Sequence, residues 1–307
     1  MTGVVVLGSL NMDLVVRAPR FPRPGETLTG DGFATYPGGK GANQAVACAR
    51  LGARTAMIGR VGQDGFGQRL RAGLEQAGVD TSEVRVDEDA PTGTALIVVE
   101  SGGENAIVVV PGANGRVNEG DAARSAALLG AATCMVAQLE VPLAPVQQAA
   151  AMVRQAGGRV VLNAAPGRAL PEDLLSQVDD LIVNETEAGI LSGVDVGDVD
   201  SARQAAATLR ALGPSCVIVT LGAQGALLLD DDGPWLCPTR EVTVVDTTAA
   251  GDAFVGAWAS AITRGDECRS ALRYAVAAGT LATTVMGAQP SLPSHEQVTR
   301  FMEGDSV

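Results

Sequence analysis

Two hydrophobic rhythms alternate along the chain. Short β-branched runs recur, and between them lie Ala-rich stretches whose apolar residues fall three or four apart. Val4–Leu7 reads as a buried strand. Leu14–Val16 and Leu28–Tyr36 are extended on either side of a rigid turn at Phe21–Thr27. Thr55–Ile58 is a strand, and the turn Val61–Gly67 leads from it into a helix over Gln68–Ala77. A second helix runs over Gln44–Leu51. Thr92–Glu100 and Ala106–Val110 form a hairpin across the turn Ser101–Asn105. From Asn118 onward helix and strand alternate. Helices are predicted over Ala122–Leu129, Pro145–Gln155 and Ala202–Leu212, and strands over Cys134–Ala137, Arg159–Leu162, Asp180–Val183 and Cys216–Thr220. Val244-Val245 reads as the end of a further β-branched strand, and tail helices follow at Ser270–Thr284 and Glu296–Phe301.

Alternation of this kind predicts an α/β fold, a doubly wound and mostly parallel sheet with helices on both faces. The early ribbon and the hairpin, about 14–36 and 92–113, fall outside the alternation and are expected to form a small β-sheet lid over one side of a site. The whole chain, 1–307, reads as one domain.

Composition sharpens this picture. The chain is 46% hydrophobic but only 3% aromatic, which suits buried parallel strands flanked by Ala-rich helices. A net charge of −13 with no block of Lys or Arg argues against a nucleic-acid partner. Five cysteines are scattered without a C-x-x-C pair, the pattern of reduced thiols in a cytoplasmic protein. No basic segment precedes an apolar run at the amino terminus, and no stretch reaches the length of a membrane span. His295 is the only histidine, so a His-based triad or a multi-His metal site is excluded by count.

Candidate chemistry gathers at turns. Asp246-Thr247-Thr248-Ala249-Ala250-Gly251-Asp252 is a small-residue turn that opens a helix running through Val255, Ala257 and Trp258. Helix starts expose unpaired N–H groups and partial positive charge, and small residues let a polyanion approach. Asp252 in the first turn faces the same anion. Amides that cradle phosphate, beside a carboxylate that accepts an alcohol proton, are the minimum equipment for phosphoryl transfer to a hydroxyl. The plainer reading is an Asp favoured at a helix start. Asn11 and Asp13, past the first strand, alternate along an extended segment and suit a polyol; a local Asx turn is the competing reading. Pro37-Gly38-Gly39-Lys40-Gly41-Ala42-Asn43 permits close ligand approach, but its glycine spacing and the Gly after Lys40 rule out a Walker A loop. Several predicted strands end in polar residues: Asn11, Glu140, Asn163, Asn184, Thr220 and Asp246. In a parallel sheet these would share one edge.

With these residues in place, the chain resembles the PfkB-type carbohydrate kinases, most closely the ribokinase branch. The resemblance spans nearly the whole length, through Gly8–Asp13, Pro24–Thr27, Gly38–Ala45, Asn184–Glu187, Asp246–Asp252 and Gly287–Ser291. It implies ATP-dependent phosphorylation of D-ribose at the 5-hydroxyl. Asp252 would be the catalytic base, with the N–H groups of Ala249, Ala250, Gly251 and Asp252 forming an anion hole. Asn11, Met12, Asp13, Gly39, Lys40, Gly41, Ala42, Asn43 and Glu140, together with Asp252, would line the sugar pocket. For ATP the resemblance implies Asn184, Glu187, Thr220, Leu221, Gly222, Ala223, Gln224, Gly225, Gly251, Asp252 and Val276, with Asn184 and Glu187 orienting phosphates and the water shell of Mg2+. It also implies a K+ site of Asp246, Thr248, Ala282, Val285, Gly287 and Ser291, and a homodimer. The sequence departs from relatives at Val276, often polar there, and at Ala249, often glycine. The competing readings are a kinase of deoxyribose, fructose or adenosine, and a sugar-sensing module without catalysis.

Overall fold

The computed structural model describes residues 2–304, so residues 1 and 305–307 of the predicted single domain lie outside the described residues. The chain begins with β1 (Thr2–Leu7), β2 (Asn11–Ala18), β3 (Gly32–Gly38) and α1 (Lys40–Arg50). It continues through β4 (Thr55–Gly62), α2 (Gly65–Gln76), β5 (Asp80–Asp87), β6 (Gly93–Glu100) and β7 (Asn105–Val110). Next come α3 (Glu119–Arg124), α4 (Ala126–Gly130), β8 (Ala132–Ala137), α5 (Leu143–Gln155), β9 (Arg159–Asn163) and α6 (Glu172–Leu175). Then follow β10 (Asp180–Asn184), α7 (Glu185–Ser192), α8 (Val199–Arg210), β11 (Cys216–Thr220), β12 (Ala226–Asp230) and β13 (Gly233–Cys237). The last elements are α9 (Ala250–Arg264), α10 (Cys268–Ala282), α11 (Ala288–Ser291) and α12 (His295–Glu303).

Among the described residues the larger sheet has nine strands in the order β13-β12-β11-β10-β9-β8-β1-β4-β5. From β11 to β5 every pairing is parallel, while β12 and β13 add an antiparallel hairpin at one edge. The β-branched runs explain the burial. Val4 and Val6 point into a core shared with α1, α9 and α10, while Val5 and Leu7 point into the core beneath α5 and α8. From β1 the chain builds outward on one side, to β4 and β5, before it returns to β8 on the other. That reversal opens a crevice at the carboxyl ends of β1 and β8, where open α/β sheets bind ligands.

The second sheet, ordered β3-β2-β6-β7, stands apart and covers one side of that crevice. It starts at Asn11, so the Asn11–Asp13 segment belongs to a lid strand rather than to the end of β1.

The structure corrects several other expectations. Val244-Val245 ends no strand: the segment from Arg240 to Thr248 is irregular, and both valines are exposed, so their β-branched character reflects no sheet pairing. Asp246 is therefore not a strand end. Its segment is instead tied to the end of α10, where the amides of Val245 and Asp246 both donate to the Thr283 carbonyl. Helix α1 begins at Lys40, earlier than the predicted Gln44, because the glycines that suggested a loop lie within its first turn or just before it. The predicted helix Ala122–Leu129 is broken at Ser125 into α3 and α4. Strands β5, β12 and β13 were not foreseen; β5 and β13 are the two edges of the sheet, where weaker burial leaves a weaker apolar rhythm, while β12 lies between β11 and β13 with Ala226, Leu227 and Leu228 fully buried.

Candidate active site

Asp252 sits in the first turn of α9 and is almost fully buried. Asn43 Nδ2 donates to its Oδ2 at 2.9 Å, and Gln44 Nε2 donates to its Oδ1 at 2.9 Å. Helix α9 therefore presents its carboxylate to the first turn of α1. The start of α9 has no side-chain cap. Ala249 takes the capping position in a left-handed conformation, φ 60°, and is the one non-glycine residue with positive φ among the described residues. An L-residue pays roughly 1–2 kcal/mol for that conformation. Of the four amides expected to form an anion hole, Ala250 N–H donates to Thr247 O at 3.2 Å, closing the turn. The amides of Ala249, Gly251 and Asp252 have no such partner among the described residues, and a Cβ added to Gly251 would meet open space.

Four carboxylates and one ammonium share the crevice. Burial, and then the charges of Glu140 and Asp252, push Asp13 up to about 7. Burial also raises Asp252, with Glu140 adding to the rise and Lys40, Asn43 and Gln44 opposing it. Burial raises Glu187, against the amide of Asn184 and the charge of Lys40. For Lys40 burial works to lower the pKa, but Asp252, Glu140 and Glu187 outweigh it and hold the ammonium raised. A half-buried cation facing several acids suits a ligand that brings hydroxyls to the carboxylates and phosphate to the lysine.

Glu140 does more than line a pocket. Gly39 precedes α1 with φ 87° and offers no side chain to cap it. Glu140 Oε2 takes that role, accepting from Lys40 N–H at 3.1 Å and from the Ser9 hydroxyl. Gly41 packs against the backbone of Gly8 and Ser9 so closely that a Cβ would lie 2.5 Å from Ser9 N. Asn11 is buried and Met12 fully so; Ala42 is likewise buried, beneath Asn43. The Oδ1 of Asn43 is buried without a partner, an open acceptor beside Asp252.

Asn184 and Glu187 form a reciprocal cap on α7. Asn184 Oδ1 accepts from Glu187 N–H at 2.8 Å, and Glu187 Oε2 accepts from Asn184 N–H at 2.9 Å. One carboxylate oxygen of Glu187 is already committed there, so this pair fits a metal held through its water shell better than one held directly.

A cavity of about 740 Å³ opens beside α9. Six residues expected for a nucleotide line it: Thr220, Gly222, Ala223, Gly225, Gly251 and Val276. Leu221 is buried behind the loop, Gln224 is exposed, and Asn184, Glu187 and Asp252 lie outside the lining. Val276 supplies an apolar wall on α10. Thr280, one turn further along α10, lines it too, and so do Phe254 and the irregular segment from Thr239 to Val244, which were not anticipated. An irregular segment has no periodicity to detect.

The six residues expected to hold a monovalent cation also converge. Asp246 Oδ1 accepts from the amide and hydroxyl of Thr248 at 2.9 and 2.6 Å, and Oδ2 accepts from Gly287 N–H at 2.8 Å. Ser291 Oγ lies 3.5 Å from Thr248 O, and Val285 N–H reaches back toward Ala282 O. Burial opposes the Asp246 charge, yet these hydrogen bonds outweigh it and hold the carboxyl below its usual range. An ionised carboxylate with no basic partner among the described residues, ringed by carbonyl and hydroxyl oxygens, has the donor chemistry of a cation site. Arg50, at the other end of α1, donates to the carbonyls of Gln289 and Leu292 at 2.7 and 2.8 Å and so ties this loop to α1.

Two further residues escaped the sequence reading. Asn114, nearly fully buried, exchanges hydrogen bonds with the backbone of Leu10 and donates to Asn11 Oδ1 at 2.7 Å. Gln138 follows β8 and is fully buried against Gln44. Both are single polar residues flanking apolar runs, and only the fold reveals their partners.

Known proteins resemble this chain in sequence and fold. Residues 1–295 match the pfkB family carbohydrate kinases. A ribokinase of Haemophilus influenzae is 40% identical over 98% of this chain and 98% of its own. A deoxyribokinase of Salmonella typhi is 36% identical over 97% of this chain and 98% of its own. The structure of an Arabidopsis thaliana ribokinase complexed with ribose and ATP superposes with a TM-score of 0.94, at 34% identity and 99% coverage of both chains.

Proposed function

Because the chain belongs to the pfkB family of carbohydrate kinases, we propose that its site phosphorylates D-ribose at the 5-hydroxyl, using ATP and yielding ribose 5-phosphate and ADP. The observation that carries this reading is the position of Asp252: buried, hydrogen-bonded by Asn43 and Gln44, and adjacent to unpartnered amides at the mouth of α9. The sugar lies between the lid and α1, with Asp13 and Asn43 receiving its hydroxyl protons. The nucleotide lies in the cavity walled by Val276 and Phe254. Asp252 withdraws the proton of the primary hydroxyl as that oxygen attacks the γ-phosphorus and the bond to ADP breaks. Charge spreads over the phosphoryl oxygens, and the amides of Ala249, Gly251 and Asp252, with Lys40, hold it there without reorganising.

Mg2+, carried on the nucleotide, supplies charge neutralisation at the phosphates, and Asn184 with Glu187 would order its water shell. K+ would sit among Asp246, Thr248, Ala282, Val285, Gly287 and Ser291, fixing the turn that precedes the amides. The chain acts as one unit, a large sheet with its lid, in the cytoplasm. It works as a homodimer through lid faces that leave Phe33, Ile107 and Val108 more than half exposed.

A second sugar has specific support, since a deoxyribokinase lies almost as near in sequence as the ribokinases. Coupled ADP release over a panel of ribose, 2-deoxyribose, fructose and adenosine decides among these. The expected result is a kcat/KM for ribose at least about tenfold above the others, a ratio that a single net hydrogen bond of about 1.4 kcal/mol already supplies against deoxyribose. Turnover of deoxyribose above ribose would replace the substrate. Sugar binding by calorimetry with no turnover under ATP, Mg2+ and K+ would make the protein a sensor.

A further inference from the structure

The base is not held by the sugar pocket alone. Behind Asp252, away from the nucleotide cavity, runs a chain of side-chain amides that the proposed reaction does not use. Gln44 is fully buried, and its Nε2 is shared between Asp252 Oδ1 at 2.9 Å and Asn163 Oδ1 at 3.0 Å. Its Oε1 accepts from Gln138 Nε2 at 2.5 Å. Gln138 is also fully buried, and its own Oε1 has no partner and lies over Gly8, where a Cβ would come within 2.0 Å. Asn163 is fixed in turn by donating to Ile182 O at 3.2 Å. The donors therefore point one way, from Gln138 to Gln44 to Asp252.

We propose that Gln44, its amide sense set by the Asp252 and Asn163 acceptors and supported by the donor of Gln138, is a positioning residue that ties Oδ1 of Asp252 to the protein interior and leaves Oδ2 as the oxygen that takes the hydroxyl proton.

The argument is one of donors and acceptors. A primary amide offers donors at one end and an acceptor at the other. If Gln44 turned over, its oxygen would face a carboxylate, and its nitrogen would face the nitrogen of Gln138, so both contacts would turn repulsive. Neither glutamine is reached by solvent, so no water can repair the mismatch. Oδ1 is thereby held by a donor that has no proton to receive. Oδ2 is held by Asn43, which stands on the sugar side and is free to regroup when a hydroxyl arrives. The other charged groups facing Asp252 are Lys40 on α1, Glu140 after β8 and Asp13 on β2. None of them hydrogen-bonds Oδ1, so the orientation falls to Gln44. The arrangement also favours the ionised base, because a proton on Oδ1 would confront the Gln44 amide.

This inference rests on Asp252 being the base, and the experiment separates the two. Gln44→Met and Gln138→Met keep length and bulk while removing the amide. Each is assayed for kcat, for KM of sugar and ATP, and for the pH dependence of kcat, beside Asp252→Ala. In Gln44→Met the expected fall in kcat at neutral pH is about ten- to a hundredfold, with KM for ATP within about twofold. The acid limb should move up by about one pH unit, because the carboxylate has lost a donor. Gln138→Met should move it the same way by less. Should Gln44→Met fail to fold, Gln138→Met decides. An unchanged acid limb in the folded variants, or a loss of kcat equal at every pH, overturns the positioning role while an inactive Asp252→Ala upholds the base. Near-normal turnover by Asp252→Ala removes both.

Discussion

Gly256 and Ala47 mark the point where α9 crosses α1: a Cβ on Gly256 would stand 2.4 Å from the Cβ of Ala47. No real pair of carbons sits that close, so only hydrogen at position 256 permits the crossing. One helical turn away from this contact, Asp252 on α9 meets Asn43 and Gln44 on α1. Helix packing and the placement of the Asp252 carboxylate are thus the same feature. Gly256→Ala is expected to spread the helices, costing about 1–3 kcal/mol in denaturant unfolding. It should also lower kcat by more than it changes KM for ATP. A variant with lowered stability but wild-type kcat would show that the crossing does not set the base.

Asp13, ionised within the crevice, costs the folded protein stability. Its folded pKa is pushed up to about 7 from an ordinary 3.8, so between those values the folded state holds a proton that the unfolded state has released. Stability from this group therefore falls as pH rises through that window and is lost above about 7. Asp13→Asn should raise the melting temperature of the ligand-free protein at pH 8 and leave it nearly unchanged at acid pH. The same substitution should weaken sugar binding, since the ionised carboxylate accepts hydroxyls. In the wild type, sugar affinity should fall as pH drops below about 7, measured by calorimetry. A stability gain independent of pH would contradict this account.

The division between what could be read from the chain and what could not follows from periodicity. Val4–Leu7, Cys134–Ala137 and Cys216–Thr220 announce buried parallel strands because both faces are covered, and the structure places strands at all three. The turn at Asp246–Asp252 announces a helix start through its small residues and its acid, and α9 begins there. Asn114 and Gln138 announced nothing, and Gln44 only its place in the Gly38–Ala45 motif, since a buried amide gains meaning only from a partner far along the chain. Glu140 was expected to touch sugar, but its capping of α1 depends on Gly39 having no side chain of its own, a relation across 101 positions of sequence that spacing does not encode.

Monovalent cation binding is testable without an assay of turnover. Asp246 holds an ionised carboxyl whose oxygens, among the described residues, accept from Thr248 and Gly287 and from no basic group. K+ at about ten times its dissociation constant should raise the melting temperature by about 2 °C, while tetramethylammonium, too large for the loop, should not. Asp246→Ala should abolish the K+-dependent rise and, in the kinase assay, the K+ dependence of kcat. An identical response to both cations would mean a general salt effect and no site.

The lid supplies the last expectation. Cross-strand register places Ile107 opposite Ile97 and Val15, and Val109 opposite Ala95 and Asp13, so both exposed residues share the face that carries Asp13. Phe33 and Val108 belong to the opposite face, where Val16 and Leu96 are their partners. A four-stranded sheet with apolar residues exposed on both faces is poorly suited to water on either one. A second copy's lid, packed against it, would cover that surface and complete the closure over the sugar. Ile107→Lys with Val109→Lys is therefore expected to convert a dimer into a monomer in sedimentation, with the large sheet still folded by circular dichroism. Because the lid would then lack support, KM for the sugar should rise about tenfold or more while KM for ATP stays near its original value. A wild-type protein that sediments as a monomer at micromolar concentration would refute the dimer, and the lid would have to close over the crevice unaided.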